Sequence, residues 1–260
     1  MISKAPRRLS RLWQGRSRGA LMAMCLWLVT TAPAIADTIV AARYTEPTTR
    51  YPHGVLGDQI EYGALELTIE NTPATQGSTG AKERSALTIR LPEDRVFEDL
   101  APRLSDVDQN GTLEVLVVEA QKDTGAQLAI YNAHGEKIAA TPHIGTRFRW
   151  LAPIGAADLD GDGYVEIAYI DRPHLAKTLR IWRFKDGALT EIAVLPGLTN
   201  HKIGEAYISS AIRDCGTGPE MVVASADWST IVSVSYRGDW QTRDLGPLKK
   251  RSDLTNALIC

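Results

Sequence analysis

DVDQNGTLE at residues 106–114 and DLDGDGYVE at residues 158–166 are one nine-residue pattern written twice, 52 residues apart. Oxygen-bearing side chains stand at positions 1, 3, 5 and 9 of both. These are Asp106, Asp108, Asn110 and Glu114 in the first, and Asp158, Asp160, Asp162 and Glu166 in the second. Glycine at the sixth position (Gly111, Gly163) permits the sharp reversal that turns alternate side chains toward one centre. The apolar runs that begin at the glutamates, EVLVVEA and EIAYID, read as strands. Each loop is therefore a tight entry into a strand.

The glutamate-led run occurs twice more, as EYGALELTI from Glu61 and EMVVASA from Glu220, and the four glutamates are spaced by 53, 52 and 54 residues. A second strand-like run follows each: ALTIRLPED from Ala86, LAIYNAHGEK from Leu128, LRIWRFKDG from Leu179 and VSVSYRGDW from Val232. Turn glycines Gly135, Gly187 and Gly238 keep nearly the same period. Helical periodicity is poor throughout. Three or four short strands per unit is the size of one propeller blade, and so small a sheet buries both faces only by stacking on its neighbours. The pattern predicts an all-β chain, a small β-propeller-like ring of about four blade repeats of about 53 residues. A fifth blade or an open ring are the alternatives. The repeats fall near 45–96, 97–148, 149–200 and 201–260 of a single domain spanning 37–260. Thr38–Tyr44 is expected as an outer or closing strand on the last blade, and the polar stretch Asn71–Arg84 as an exposed loop.

The first 36 residues read as a secretory signal: six basic and no acidic residues, the short apolar run LMAMCLWLVT from Leu21, then Ala34-Ile35-Ala36 as a cleavage site. The run is well short of the roughly 20 residues that span a bilayer. No second apolar run of membrane length follows, which predicts a soluble mature chain, periplasmic or secreted. That chain holds 23 Lys and Arg against 31 Asp and Glu, a net charge near −8, which argues against nucleic acid as a partner. Two cysteines survive processing. In an oxidising compartment Cys215 and Cys260 are expected to pair, with two free thiols as the alternative.

Three short carboxylate or amide oxygens around one point, with the position-7 carbonyl of Thr112 or Tyr164 and the closing glutamate, form a hard oxygen shell that suits calcium better than zinc or magnesium. An EF-hand would require a glutamate at position 12, where Val117 and Tyr169 stand, and helical flanks. These loops, with Ala152-Pro-Ile-Gly-Ala-Ala157 before the second, resemble the FG-GAP/VCBS repeats of integrin-like β-propellers and exported bacterial proteins. The resemblance implies two calcium sites: Asp106, Asp108, Asn110, Thr112 and Glu114, and Asp158, Asp160, Asp162, Tyr164 and Glu166.

The outer units have lost the pattern. His53 and Val55 occupy positions 1 and 3 before Glu61, and only Asp214 and Glu220 survive in the fourth unit, where a Cys215–Cys260 disulfide is expected to pin the loop in place of a metal. No zinc or nucleophile motif is present. His53 and His201 are expected to line a central channel, and Trp150, Trp182, Trp228 and Trp240 to pack between blades. The sequence thus predicts an exported calcium-binding scaffold, the calcium structural, with a protein or glycan as its ligand at the cell envelope. The alternative is a propeller enzyme, or enzyme subunit, acting on an envelope or glycan substrate at the channel mouth.

Overall fold

The structure is a computed structural model that describes residues 37–71 and 83–260. The expected secretory signal, residues 1–36, and most of the polar stretch after Asn71 lie outside the described residues. Among the described residues no helix is long and apolar enough to cross a membrane.

The chain forms antiparallel meanders in order. The first is β1 (Thr38–Thr48), β2 (Glu61–Asn71), β3 (Glu83–Arg90) and β4 (Arg95–Phe97). The second is β5 (Arg103–Ser105), β6 (Glu114–Gln121), β7 (Gly125–Tyr131) and β8 (Lys137–Ala140). The third is β9 (Leu151–Ala157), β10 (Val165–Asp171), β11 (Thr178–Lys185) and β12 (Ala188–Pro196). The fourth is β13 (Leu198–Thr199), β14 (Ala211–Asp214), β15 (Pro219–Ser225), β16 (Thr230–Tyr236) and β17 (Trp240–Pro247), followed by the short helix α1 (Arg251–Ala257). The first two meanders join into one sheet, because β4 pairs with β2 at Tyr62–Phe97 and with β6 over Phe97–Glu119 to Arg95–Gln121. The other two form separate sheets.

Period-two alternation decides which neighbour each residue meets. On β6, Val115 and Val117 pack with Ile39, Leu65, Leu67 and Ile69, whereas Leu116 and Val118 point the other way and pack with Ile167 and Tyr169. On β10 the opposite set, Ala168 and Ile170, packs with Met221, Val223 and Val234 of the last sheet. Both faces of β6 and β10 are therefore covered, which is why these strands read as nearly unbroken apolar runs. Outer strands such as β12 are mostly exposed. Truncating a central residue such as Ile170 to Ala would cost roughly 2–5 kcal/mol.

The array is open. Among the described residues no strand pairing joins the first sheet to the last. The Thr38–Tyr44 segment, expected to close a ring, instead pairs with β2 of its own meander. The free face of the last sheet, Val222 and Ile231, is covered by Leu254 of α1. That helix was not legible in the sequence. It works as a terminal cap, which a stacked array needs where it has no next unit. The first and last meanders meet through loops: Gly204 donates its backbone N–H to the Val55 carbonyl at 2.9 Å.

Cys215 and Cys260 form a disulfide, Cα–Cα 5.5 Å, that ties the residues just beyond α1 back to the β14–β15 turn. Closing this 45-residue loop constrains the unfolded chain by roughly 4 kcal/mol in the chain-entropy estimate. Replacing both cysteines by serine should lower the denaturation midpoint of the 37–260 chain by an amount of that order. Ellman titration of the unfolded, unreduced wild-type chain should find no free thiol; two would contradict the pairing.

Candidate metal centre

Each acidic loop hangs from its sheet by the residue after the first aspartate. Val107 and Leu159 are each only 1 % exposed, and they plug the cores on either side of the third meander. Their backbone N–H groups donate to the glutamate that ends the loop: Val107 to Glu114 Oε2 at 3.0 Å, Leu159 to Glu166 Oε2 at 2.8 Å. The first aspartate accepts from the sixth-position glycine in both, Gly111 to Asp106 at 2.9 Å and Gly163 to Asp158 at 3.1 Å. Those glycines have φ of 89° and 87°, where a side chain would be strained. The fifth-position side chain turns the backbone of the seventh: Asn110 Oδ1 accepts the Thr112 N–H and Asp162 Oδ1 the Tyr164 N–H. Two segments with different residues between the matched positions thus share one hydrogen-bond scheme.

Asp106, Asp108 and Glu114 each bring a carboxylate oxygen within 4.8 Å of the other two, as do Asp158, Asp160 and Glu166. Either trio could hold a metal ion. Asp162 falls outside its trio and pairs with Arg183 instead, at 2.9 Å. Asn110 Oδ1 is engaged by both the N–H and the hydroxyl of Thr112. Tyr164 turns its half-exposed ring outward, with Lys185 Nζ 4.3 Å from the ring centre.

The loops differ in charge. Burial, with Asp108 and Asp106 adding repulsion, pushes the Glu114 carboxyl up to about 7. Burial also raises Glu166, but the Arg183 guanidinium opposes it. Arg183 contacts three carboxylates of the second loop: Glu166 Oε1 at 2.7 Å, Asp162, and Asp160. Antiparallel pairing puts Arg183 directly across from Glu166. This residue was missed in the sequence because its relevance depends on that register. The fourth meander goes further. Burial works to raise Glu220, yet Arg213 and Arg243 outweigh it and hold the carboxylate below its ordinary value. Asp214 accepts the N–H groups of Gly216 and Gly218, closing the degenerate loop without a ligand set. In the first meander burial and then the neighbouring acids Glu98, Asp58 and Asp99 push Glu61 up to about 9, so a proton neutralises it.

The opposite strand ends carry the histidines. Trp150 precedes β9 and Arg172 follows β10, whereas the second acidic loop joins the other ends of these strands. There His53 Nδ1 contacts the fully buried Glu98 carboxyl and its ring stacks on Phe148 at 4.9 Å. His174 Nε2 lies 2.9 Å from His201 Nδ1. Burial, and then the Arg149 charge, lowers His53 to about 4. His53, His174 and Trp150 line one shared pocket with Arg149 and Arg172. Among the described residues the histidines do not belong to a group that could hold a metal. Trp150 is buried and donates to the Glu98 carbonyl, and Trp182 donates to the Tyr169 hydroxyl.

No curated protein matches the chain. A similar solved structure is described as the crystal structure of exotype rhamnogalacturonan lyase YesX. It is 16 % identical, with a TM-score of 0.40, over 81 % of this chain and 48 % of that one. The chain therefore spans about half the length of that protein. Residues 106–169 match the FG-GAP-like repeat. Both acidic loops thus lie in, or begin, a segment of this propeller-like chain that carries the FG-GAP-like repeat.

Proposed function

We propose that the protein is an exported, calcium-stabilised binding scaffold, with one ion at each acidic loop. The observation that carries the reading is the first loop: Asp106, Asp108 and Glu114 converge, and among the described residues no basic side chain is bonded to them. Three converging carboxylates repel one another, and a hard divalent cation offsets that cost. The Asn110 side chain and the Thr112 carbonyl would supply the remaining oxygen donors at the first loop; at the second, the Tyr164 carbonyl would do so, and Asp162 once released from Arg183. The ion would brace the turn between two buried strands, a structural role. The disulfide and the basic, then apolar, N-terminal segment fit an oxidising compartment outside the cytoplasm. A protein or glycan of the cell envelope is the expected ligand.

A second reading, an enzyme, is favoured by one observation only. The Glu98–His53 pair sits beside a pocket and couples a carboxyl raised by burial to an imidazole lowered by it.

A thermal melt in excess calcium, in EDTA, and in EDTA followed by magnesium tests the scaffold reading. A site filled at about 100 times its dissociation constant adds roughly 2.7 kcal/mol. EDTA should lower the melting temperature by several degrees, and magnesium should not restore it. Unchanged melting would rule out structural calcium.

The loops should not be equal. In the second, calcium must displace the Arg183 guanidinium, so calorimetric titration should show a tighter and a weaker event. Asp106→Asn should abolish the tighter one and Asp158→Asn the weaker. Arg183→Gln should tighten the weaker event by about tenfold, the equivalent of one charge-assisted contact. The reverse assignment would show that Arg183 does not compete.

A further inference from the structure

A cleft lies where the loop before β14, the β15–β16 turn and the start of α1 meet. Its walls include Lys202, Lys249, Lys250 and Arg251, with Glu205 as the one acid. The four basic side chains form no ion pair among the described residues. The nearby Asp253 carboxylate accepts the backbone N–H groups of Lys249 and Lys250, and their charges also act on it, so it offsets part of the surplus. This surplus of cations sits on a chain whose 37–260 portion is net acidic. By strand direction it lies at the opposite strand ends from the acidic loops, since the β15–β16 turn is the counterpart of the β10–β11 turn.

Two aromatic rings stand among these charges. Lys202 Nζ is 4.6 Å from the centre of the Trp228 ring, and the Arg251 guanidinium is 3.5 Å from that of Tyr207. Each cation is thereby held beside a flat apolar face. Trp228 has φ of 63°. A bulky side chain in this left-handed region is an outlier that Gly or Asn would occupy with less strain. Strain of this kind gathers at ligand sites, where surrounding structure holds it in place. The neighbouring histidine pocket shows the same feature, at Phe148 (φ 63°) and Arg172 (φ 46°).

We infer that this cleft binds a carboxylated glycan, whose carboxylates draw Lys202 and Arg251 off the Trp228 and Tyr207 rings and pair with them and with Lys249 and Lys250, so that a sugar face takes the place of those cations on the rings. Arginine and lysine supply charge-assisted hydrogen bonds to carboxylate. The aromatic walls match the apolar C–H face of a pyranose, a contact that inorganic phosphate or an acidic peptide does not exploit. The inference deepens the binding-scaffold reading and rests on it for the class of function; it does not rest on calcium.

The test is calorimetric titration of the calcium-loaded chain, at physiological ionic strength, with three probes: hyaluronan oligosaccharides, uncharged chitin oligosaccharides and oligoglutamate. Hyaluronan should bind measurably, and the other two at least about tenfold more weakly. The exposed pair Lys249→Glu with Arg251→Glu should weaken hyaluronan binding by about tenfold or more at unchanged melting temperature. Trp228→Asn, which suits the left-handed backbone, should weaken it as well. Equal binding of oligoglutamate would make the cleft a general polyanion surface and overturn the glycan assignment. Equal binding of chitin oligosaccharides, no hyaluronan binding, or wild-type affinity in both variants would also overturn it. A calcium-dependent melt with no hyaluronan binding would sink the cleft and leave the scaffold reading standing.

Discussion

A buried glutamate at or beside the start of β2, β6, β10 and β15, one in every unit, is the constraint on which the structure turns. Glu61, Glu114, Glu166 and Glu220 are all nearly inaccessible, none more than 6 % exposed. A carboxylate cannot be taken from water uncompensated without a cost of several kcal/mol. Each unit must therefore answer the same charge, and the four answers differ. Glu61 sits buried among other acids, and burial and then those acids push its carboxyl well above the ordinary carboxylate range. Glu220 is clamped by two arginines. Glu166 combines a loop of aspartates with one arginine. Glu114 has a loop of aspartates and a backbone N–H, and no basic partner among the described residues. The two acidic loops are thus one end of a series that runs from proton to guanidinium to candidate metal shell.

The same glutamates order the packing. By fixing where that strand begins, they fix which of its residues face each way. One-residue slippage would exchange the contacts of Leu116 and Val118 with those of Val115 and Val117. The loop plugs Val107 and Leu159 lock this register from outside, since each must reach the core for its N–H to meet the glutamate. Loop geometry and sheet packing are therefore one cooperative arrangement. The loops sit at one set of strand ends. The histidine pocket and the basic cleft sit at the other, so the candidate metal shells and the two clefts are spatially separated.

Much of this was legible in the chain. Strand content, the period and the acidic trios followed from local spacing, and the Cys215–Cys260 pair from an even cysteine count in an oxidising compartment. These features depend on residues close in sequence, or on compartment chemistry, and need no knowledge of what packs where. Asp162 and Tyr164 show the limit. Their positions match Asn110 and Thr112 by count, yet Asp162 is drawn to Arg183, a residue 21 positions away by number and adjacent only through antiparallel pairing.

The sequence by itself determined the repeated unit: a polar loop, a buried glutamate and an apolar strand, because hydrogen bonding within a turn and alternation along a strand are local properties. Tertiary structure alone decided how the units end and how their charges are met. Whether β1 closes a ring or pairs at home, and whether a helix caps the last sheet, depend on which exposed apolar face finds a partner. Which glutamate receives an arginine depends on register across a sheet. Both are relations between distant segments, and no window of sequence contains them.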